Sequence, residues 1–279
     1  LGRFDLGGYV MLVVAMLAIS LALDGMGGLG WGHSLVVMVL VLGLAALAAY
    51  WLHALRSRAP IFSPVLFSVQ SYRVGLLGNL FARIGSGAMP YLVPLLMQLP
   101  MGYSPAQAGM LMLPMALAGM GAKRAITVLI THHGYRPVLI ANTLLLGLLI
   151  ASFALMTAGQ PLWLRIVQLA LFGAVNSMQF TAMNTVTLKD LDASHAASGN
   201  SLFSMVQMLG MSLGVTCAAA LLQAFNDWLG TAGVGAQALP AYRAAFVAIG
   251  IMTMASAAIF WQLGREGRPP SGRHLQSEV

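Results

Sequence analysis

Charge is scarce in this sequence. Asp, Glu, Lys and Arg make up 8% of its 279 residues, where a soluble domain carries about 25%. With 59% hydrophobic residues and a mean hydropathy of +0.83, the chain cannot clothe a water-soluble fold, and an integral membrane protein is implied. Cysteine occurs once, as Cys217. That excludes an internal disulfide framework and a thiolate metal cluster, and Cys217, in an apolar run, reads as a small packing residue.

Acidic groups are missing where chemistry inside a membrane would need them. Asp5, Asp24, Asp190, Asp192, Asp227, Glu266 and Glu278 all fall at the ends of apolar runs, in loops or in the tail. The patterns His-Glu-x-x-His, Gly-x-Ser-x-Gly and Gly-x-x-x-x-Gly-Lys are also missing, so the residue sets of zinc hydrolases, serine hydrolases and phosphate-binding loops are lacking. No enzyme, metal or cofactor is expected. The segment "THHGYR", residues 131–136, pairs two histidines in a basic setting without carboxylates or thiols, and reads as surface rather than metal site. The chain opens on "LGRFDLGG", with no basic leader and cleavage site of a signal peptide and no initiating Met; a segment upstream is expected.

What is present is a series of long apolar runs: Gly8 to Leu23, Ser34 to Leu55, Tyr72 to Leu99, Pro105 to Lys123, Arg136 to Thr157, Leu162 to Leu188, Ser194 to Leu222 and Ala241 to Leu263. About 20 residues of helix cross a bilayer, so the fold class is all-α, a polytopic membrane protein with eight transmembrane helices. The formal charge of +7 would suit nucleic acid, but its placement argues otherwise. With the segment between the second and third spans put in the cytoplasm, eleven of fourteen Lys and Arg lie at inner ends or loops: Arg3, Arg56, Arg58, Arg73, Lys123, Arg124, Arg136, Lys189, Arg265, Arg268 and Arg273. This is the positive-inside distribution, with both ends of the chain cytoplasmic and no nucleic-acid role. Trp31, Trp163 and Trp228 fall near outer ends and Trp51 and Trp261 near inner ends, as interfacial aromatics do.

Two spans begin alike, "SPAQAG" from Ser104 and "SHAASG" from Ser194. In the first, Ser104, Pro105 and Gln107 form a capping-box start. The two starts lie on opposite sides of the membrane, so spans three to five and six to eight are expected to be inverted three-helix repeats.

Polar residues mark particular faces. Asn79, Arg83 and Ser86, spaced i, i+4, i+7, share one face of the third span, and Pro90 and Pro94 after them are expected to loosen it. An arginine facing lipid would cost at least about 2.5–3.5 kcal/mol, so this face is expected to line a substrate cavity. The sixth span carries Arg165, Gln168, Phe172, Asn176 and Gln179 as a stripe; Gln168, Asn176 and Gln179 are candidate lining residues, and Arg165, near the outer end, is expected to snorkel. Gly210 and Gly214 in the seventh span, with Ser204 and Gln207 nearby, and Pro114, Gly119 and Gly121 in the fourth are read as close crossings, kinks or gating positions.

The strings "RFDLGGYVML", "LVPLLMQLPMGYSPAQAGMLMLP", "HHGYRPVL" and "MNTVTLKDLDASHAASGNSLFSMVQMLGMSLGV" are similar to the fourteen-span drug:proton antiporters of the major facilitator superfamily, and within them to the MdtD-like subgroup. The resemblance implies two six-helix bundles around a central cavity with two extra helices between them. Residues 1–58 would be the extra pair, 59–72 a cytoplasmic linker, 73–264 the C-terminal six-helix bundle of inverted 3+3 repeats, and 265–279 a tail. A missing N-terminal six-helix half would be the partner and would hold the residues of proton coupling. "THHGYR" resembles a degenerate second copy of the family's cytoplasmic motif, with Gly134 and Arg136 in the loop but Thr131 where an aspartate is expected. The implied function is proton-coupled export of small molecules or drugs across the bacterial cytoplasmic membrane by alternating access. The alternatives are export of small organic anions such as carboxylates anchored by Arg83, or a transport-inactive membrane scaffold.

Overall fold

The computed structural model describes residues 5–29, 33–57, 61–231 and 235–263. These residues form α1 (Leu6–Leu29), α2 (Ser34–Arg56), α3 (Gln70–Gln98), α4 (Pro105–Gly121), α5 (Lys123–His133), α6 (Tyr135–Ser152), α7 (Leu162–Leu188), α8 (Ala193–Leu229) and α9 (Leu239–Ser256), with short 3-10 turns between or after some of them. Among the described residues seven helical segments are long and apolar enough to cross a membrane, and α4 with α5, bent by 46° at their junction, are long and apolar enough only when taken together, giving seven or eight spans. The fold is all-α and polytopic.

Local chemistry sets several boundaries. Ser104 Oγ accepts from the Gln107 N–H at 3.3 Å and Gln107 Oε1 accepts from the Ser104 N–H at 2.9 Å, closing the capping box that starts α4. Gly134, at φ 81°, ends α5 and begins α6; a side chain there would be strained.

Two spans run further than expected. The fourth span does not stop at Lys123: the chain continues as α5 to His133, burying Ile126, so Thr131, His132 and His133 are the last turn of a helix rather than loop. Its bend falls after Gly121, one of the three residues expected to kink it, while Pro114 sits inside α4. Helix α3 continues through Pro90 and Pro94, as membrane helices do where neighbouring helices support a proline. The seventh span is also longer than expected: the 37 residues of α8 measure about 55 Å at 1.5 Å per residue, well beyond about 30 Å of hydrocarbon.

The packing repeats itself. The most extensive pairings in the bundle are α3 with α8, α4 with α7, and α6 with α9, followed by α6 with α7 and α3 with α7. Exchanging α3, α4–α5 and α6 for α7, α8 and α9 turns the first pairing into the second and leaves the third unchanged, which is the signature of two inverted repeats. At the self-paired crossing the backbones touch through glycines. A methyl on Gly147 would fall 2.6 Å from the Gly250 carbonyl oxygen, and one on Gly250 would fall 2.7 Å from that of Gly147.

Helices α1 and α2 pair with each other, and α1 lies against α8, where Thr216 Oγ1 donates to the Leu23 carbonyl at 3.0 Å. Tyr50 clips the following segment to α2: its hydroxyl accepts from the Phe62 N–H at 2.7 Å and donates to the Phe62 carbonyl at 3.3 Å.

Candidate functional site

The apolar core of the bundle is divided. One cluster gathers Leu92, Leu96, Leu146, Ile150, Phe172 and Ile249, and a second gathers Tyr72, Leu76, Leu139, Met183, Phe203 and Phe260. Along α3, α6, α7 and α9 most of the buried polar residues fall between the two: Asn79, Arg83 and Ser86; Asn142 and Thr143; Gln179; Thr253 and Ser256, with Ser71, Arg165 and Thr187 nearer the helix ends. The bundle therefore carries a polar layer across its middle, where polarity is costliest and needs partners.

One side of this layer is self-contained. Asn142 Nδ2 donates to Gln179 Oε1 at 2.6 Å and to the Val175 carbonyl at 3.1 Å, while Gln179 Nε2 donates to Thr143 Oγ1 at 2.7 Å. Higher on α7, Gln168 Nε2 donates to Ser152 Oγ at 2.9 Å. Gln168 and Gln179 thus turn toward α6, where both atoms of the Gln179 amide and the Nε2 of Gln168 find partners. Asn142 and Thr143 were missed by sequence reasoning; their i, i+1 spacing in a Leu-rich run carries no facial pattern. Arg165 does not snorkel. It is 3% exposed and its guanidinium donates to the Tyr103 hydroxyl and, at 2.6 Å each, to the Ala158 and Gln160 carbonyls, clamping two loops to the start of α7.

The other side is less settled. Arg83, near the middle of α3 and 8% exposed, reaches into the crevice between α7 and α8. Its Cζ sits 4.6 Å from the centroid of the Phe180 ring, a cation–π geometry. With the Gln207 amide oriented so that its oxygen faces the guanidinium, that oxygen accepts from Nη2 at 2.8 Å and from Nε at 3.1 Å. Gly210 makes the approach possible, since a methyl there would fall 2.8 Å from Arg83 Cβ. Phe180 itself is 37% exposed, so it covers Arg83 while presenting its other face outward. Among the described residues no carboxylate forms a salt bridge with Arg83.

Asn79, one turn before Arg83 on the same face, is 1% exposed and neither atom of its amide has a partner. Ser86 Oγ donates to the Ala82 carbonyl at 3.3 Å. Asn176 is half-buried, on the α7 face that carries Phe180 four residues on. Gly214 is pressed against the Ile84 carbonyl of α3, Pro90 and Pro94 lie above the polar layer, and Gly134 and Arg136 sit at the α5–α6 turn. No cluster of three metal-ligating side chains occurs among the described residues.

A bundle of inverted repeats with a polar middle narrows the search to membrane transport folds, and the profile of the Major Facilitator Superfamily matches residues 1–215 and 76–278. The chain belongs to the major facilitator superfamily. Membership of this superfamily places it with transporters rather than enzymes. Within the superfamily it is 47% identical over 223 residues to a protein of Serratia proteamaculans with the provisional description multidrug resistance protein MdtD, covering 80% of this chain and 47% of that one. Proteins of the same description from Pectobacterium atrosepticum and Escherichia coli O1:K1 are 46% and 43% identical, over 81% of this chain and 48% of each relative. The chain spans about half the length of these superfamily relatives.

Proposed function

We propose that the whole protein is a proton-coupled secondary transporter that exports small molecules across the bacterial cytoplasmic membrane by alternating access. In this reading α1 and α2 are an extra pair, α3 to α9 the C-terminal bundle, the ends bearing Arg56, Arg73 and Lys189 face the cytoplasm, and a further six-span half completes the cavity. Drugs are the substrates that the relatives' description supports. The observation that carries the reading is Arg83, a guanidinium at the middle of the membrane-length helix α3, held in the crevice between α7 and α8. A scaffold has no use for a charge at this depth, where it is costly. Asn79, with an unspent amide beside it, and Ser86, Asn176, Phe180 and Gln207 complete the proposed substrate face. Gln168 and Gln179 brace α7 against α6.

A second reading is favoured by the sign of that charge. A guanidinium without a carboxylate partner in a low-dielectric crevice suits a carboxylate or phosphate, which it can bind bidentately. Small organic anions would then be substrates. The deciding experiment reconstitutes the full-length protein in liposomes with an imposed pH gradient and compares flux of a lipophilic cation with that of a small carboxylate. Arg83→Ala is expected to abolish carboxylate flux if the second reading holds. Cation flux that persists in the variant, with no carboxylate flux in either protein, would return Arg83 to a packing role and leave the drug reading. No pH-driven flux of either probe would remove the transporter proposal.

A further inference from the structure

Between the α1–α2 pair and the bundle runs a slot of about 660 Å³, lined by residues 12–19 of α1, 44–52 of α2 and 202–209 of α8, and closed by Leu76, Phe62 and Phe67. Its walls are almost wholly aliphatic and aromatic, and the volume lies within the roughly 300–1,000 Å³ of ligand pockets. The wall segments of α1, α2 and α8 lie mostly in the half of each helix nearer the end that carries Arg56 and Arg73, with Ile19 and Leu44 just past the midpoints. Eight or nine residues of helix rise about 10–13 Å, most of the roughly 15 Å that one leaflet contributes to about 30 Å of hydrocarbon. The slot is therefore nearly as deep as one acyl chain is long, and most of it lies on the basic side of the helix midpoints.

Its polar end has the chemistry of a headgroup site. Trp51 and Phe67 meet edge to face at 5.5 Å, an aromatic pair at interfacial depth. Arg56 is one turn beyond Leu52 on α2, and Arg73 three residues before Leu76 on α3; both are exposed. Among the described residues no carboxylate pairs with either arginine. Asp5, the acidic group at this end of α1, is taken up by the Gly8 N–H at 2.9 Å and by His53 Nε2 at 2.8 Å.

We infer that this slot holds an acyl chain of an anionic phospholipid from the leaflet on the basic side, with its phosphate between Arg56 and Arg73, so that a lipid cements the extra pair to the bundle. The two arginines at this end, Arg56 on α2 and Arg73 on α3, would favour the anionic headgroup by the same attraction that draws basic segments to anionic membrane surfaces. The inference is independent of what the transporter carries.

The test places the protein in nanodiscs of equal phosphatidylglycerol and phosphatidylethanolamine and counts retained lipid by native mass spectrometry after release into detergent. One phospholipid per chain is expected to survive, with phosphatidylglycerol preferred by roughly fivefold per arginine, about thirtyfold for the two. Ala48→Phe, which fills the slot from α2, should remove the adduct; if that variant does not run as a single species on gel filtration, Leu209→Phe fills it from α8. Arg56→Ala with Arg73→Ala should keep the adduct and bring the two lipids to parity. An adduct undiminished by filling the slot, a lipid preference indifferent to the arginines, or a retained mass that is not a phospholipid would each overturn the assignment.

Discussion

At the scale of single residues, the polar side chains in the middle of the bundle divide into those with partners and those without. Gln179, Asn142 and Thr143 satisfy one another across α6 and α7. Interhelical hydrogen bonds in membranes average about 0.6 kcal/mol and reach about 1.7, so Gln179→Leu is expected to destabilise by that amount. The measurement is the unfolding midpoint in a mixed-micelle titration, and an unchanged midpoint would mean that the network contributes nothing. Arg165→Leu should cost more, since it releases Tyr103 and the 158–160 loop together while leaving two carbonyls without donors; buried unsatisfied groups cost about 1–3 kcal/mol each. Helical spacing showed that Arg83 and Asn79 share a face. It did not show that Gln207 and Phe180 would meet the guanidinium, because those partners come from α8 and α7, and sequence spacing carries no information about the angle at which a second helix presents itself.

Among elements, small residues govern how closely helices cross. Gly147 and Gly250 allow the α6 and α9 backbones to touch. Gly250→Val should force that crossing apart at about 1–3 kcal/mol, the usual cost of overpacking, and show as a lower midpoint in the same titration. Gly109, with nothing near its missing side chain, should accept alanine without loss. The α1–α2 pair is tied at its basic end by Asp5 and His53. The Gly8 N–H, with His53 beside it, holds the Asp5 carboxyl below the usual carboxylate range. A depressed folded-state pKa adds stability above the unfolded value of about 3.9 and loses it as pH falls through the folded value. The thermal advantage of the native chain over Asp5→Asn is therefore expected to hold from neutral pH down to about 4 and to fade below it. An advantage unchanged at pH 3 would break the assignment.

For the whole molecule, the exchange relation between α3–α8 and α7–α4 makes the bundle a pair of like halves. Such bundles move as rigid bodies around a site at their interface. The chain spans about half of its relatives, and in the proposed mechanism the cavity needs both halves. The 279-residue chain reconstituted alone is expected to give no counterflow. Substrate movement by the isolated chain would show that one bundle suffices.

Composition and run length alone determined that this protein carries a series of membrane-spanning helices, because burying about 20 apolar residues in hydrocarbon is decided within each helix, without reference to the others. The paired starts at Ser104 and Ser194 already pointed to inverted repeats. Only the tertiary structure decided which polar groups are spent. It turned Gln179 away to α6, made Arg165 a loop clamp rather than a snorkelling side chain, carried the fourth span past a bend to His133, and left Arg83 in the crevice between α7 and α8 with Asn79 unpartnered beside it. The reason is that hydrogen bonds between membrane helices depend on crossing angle and rotation, which are set by packing across helices rather than by any one helix's own sequence.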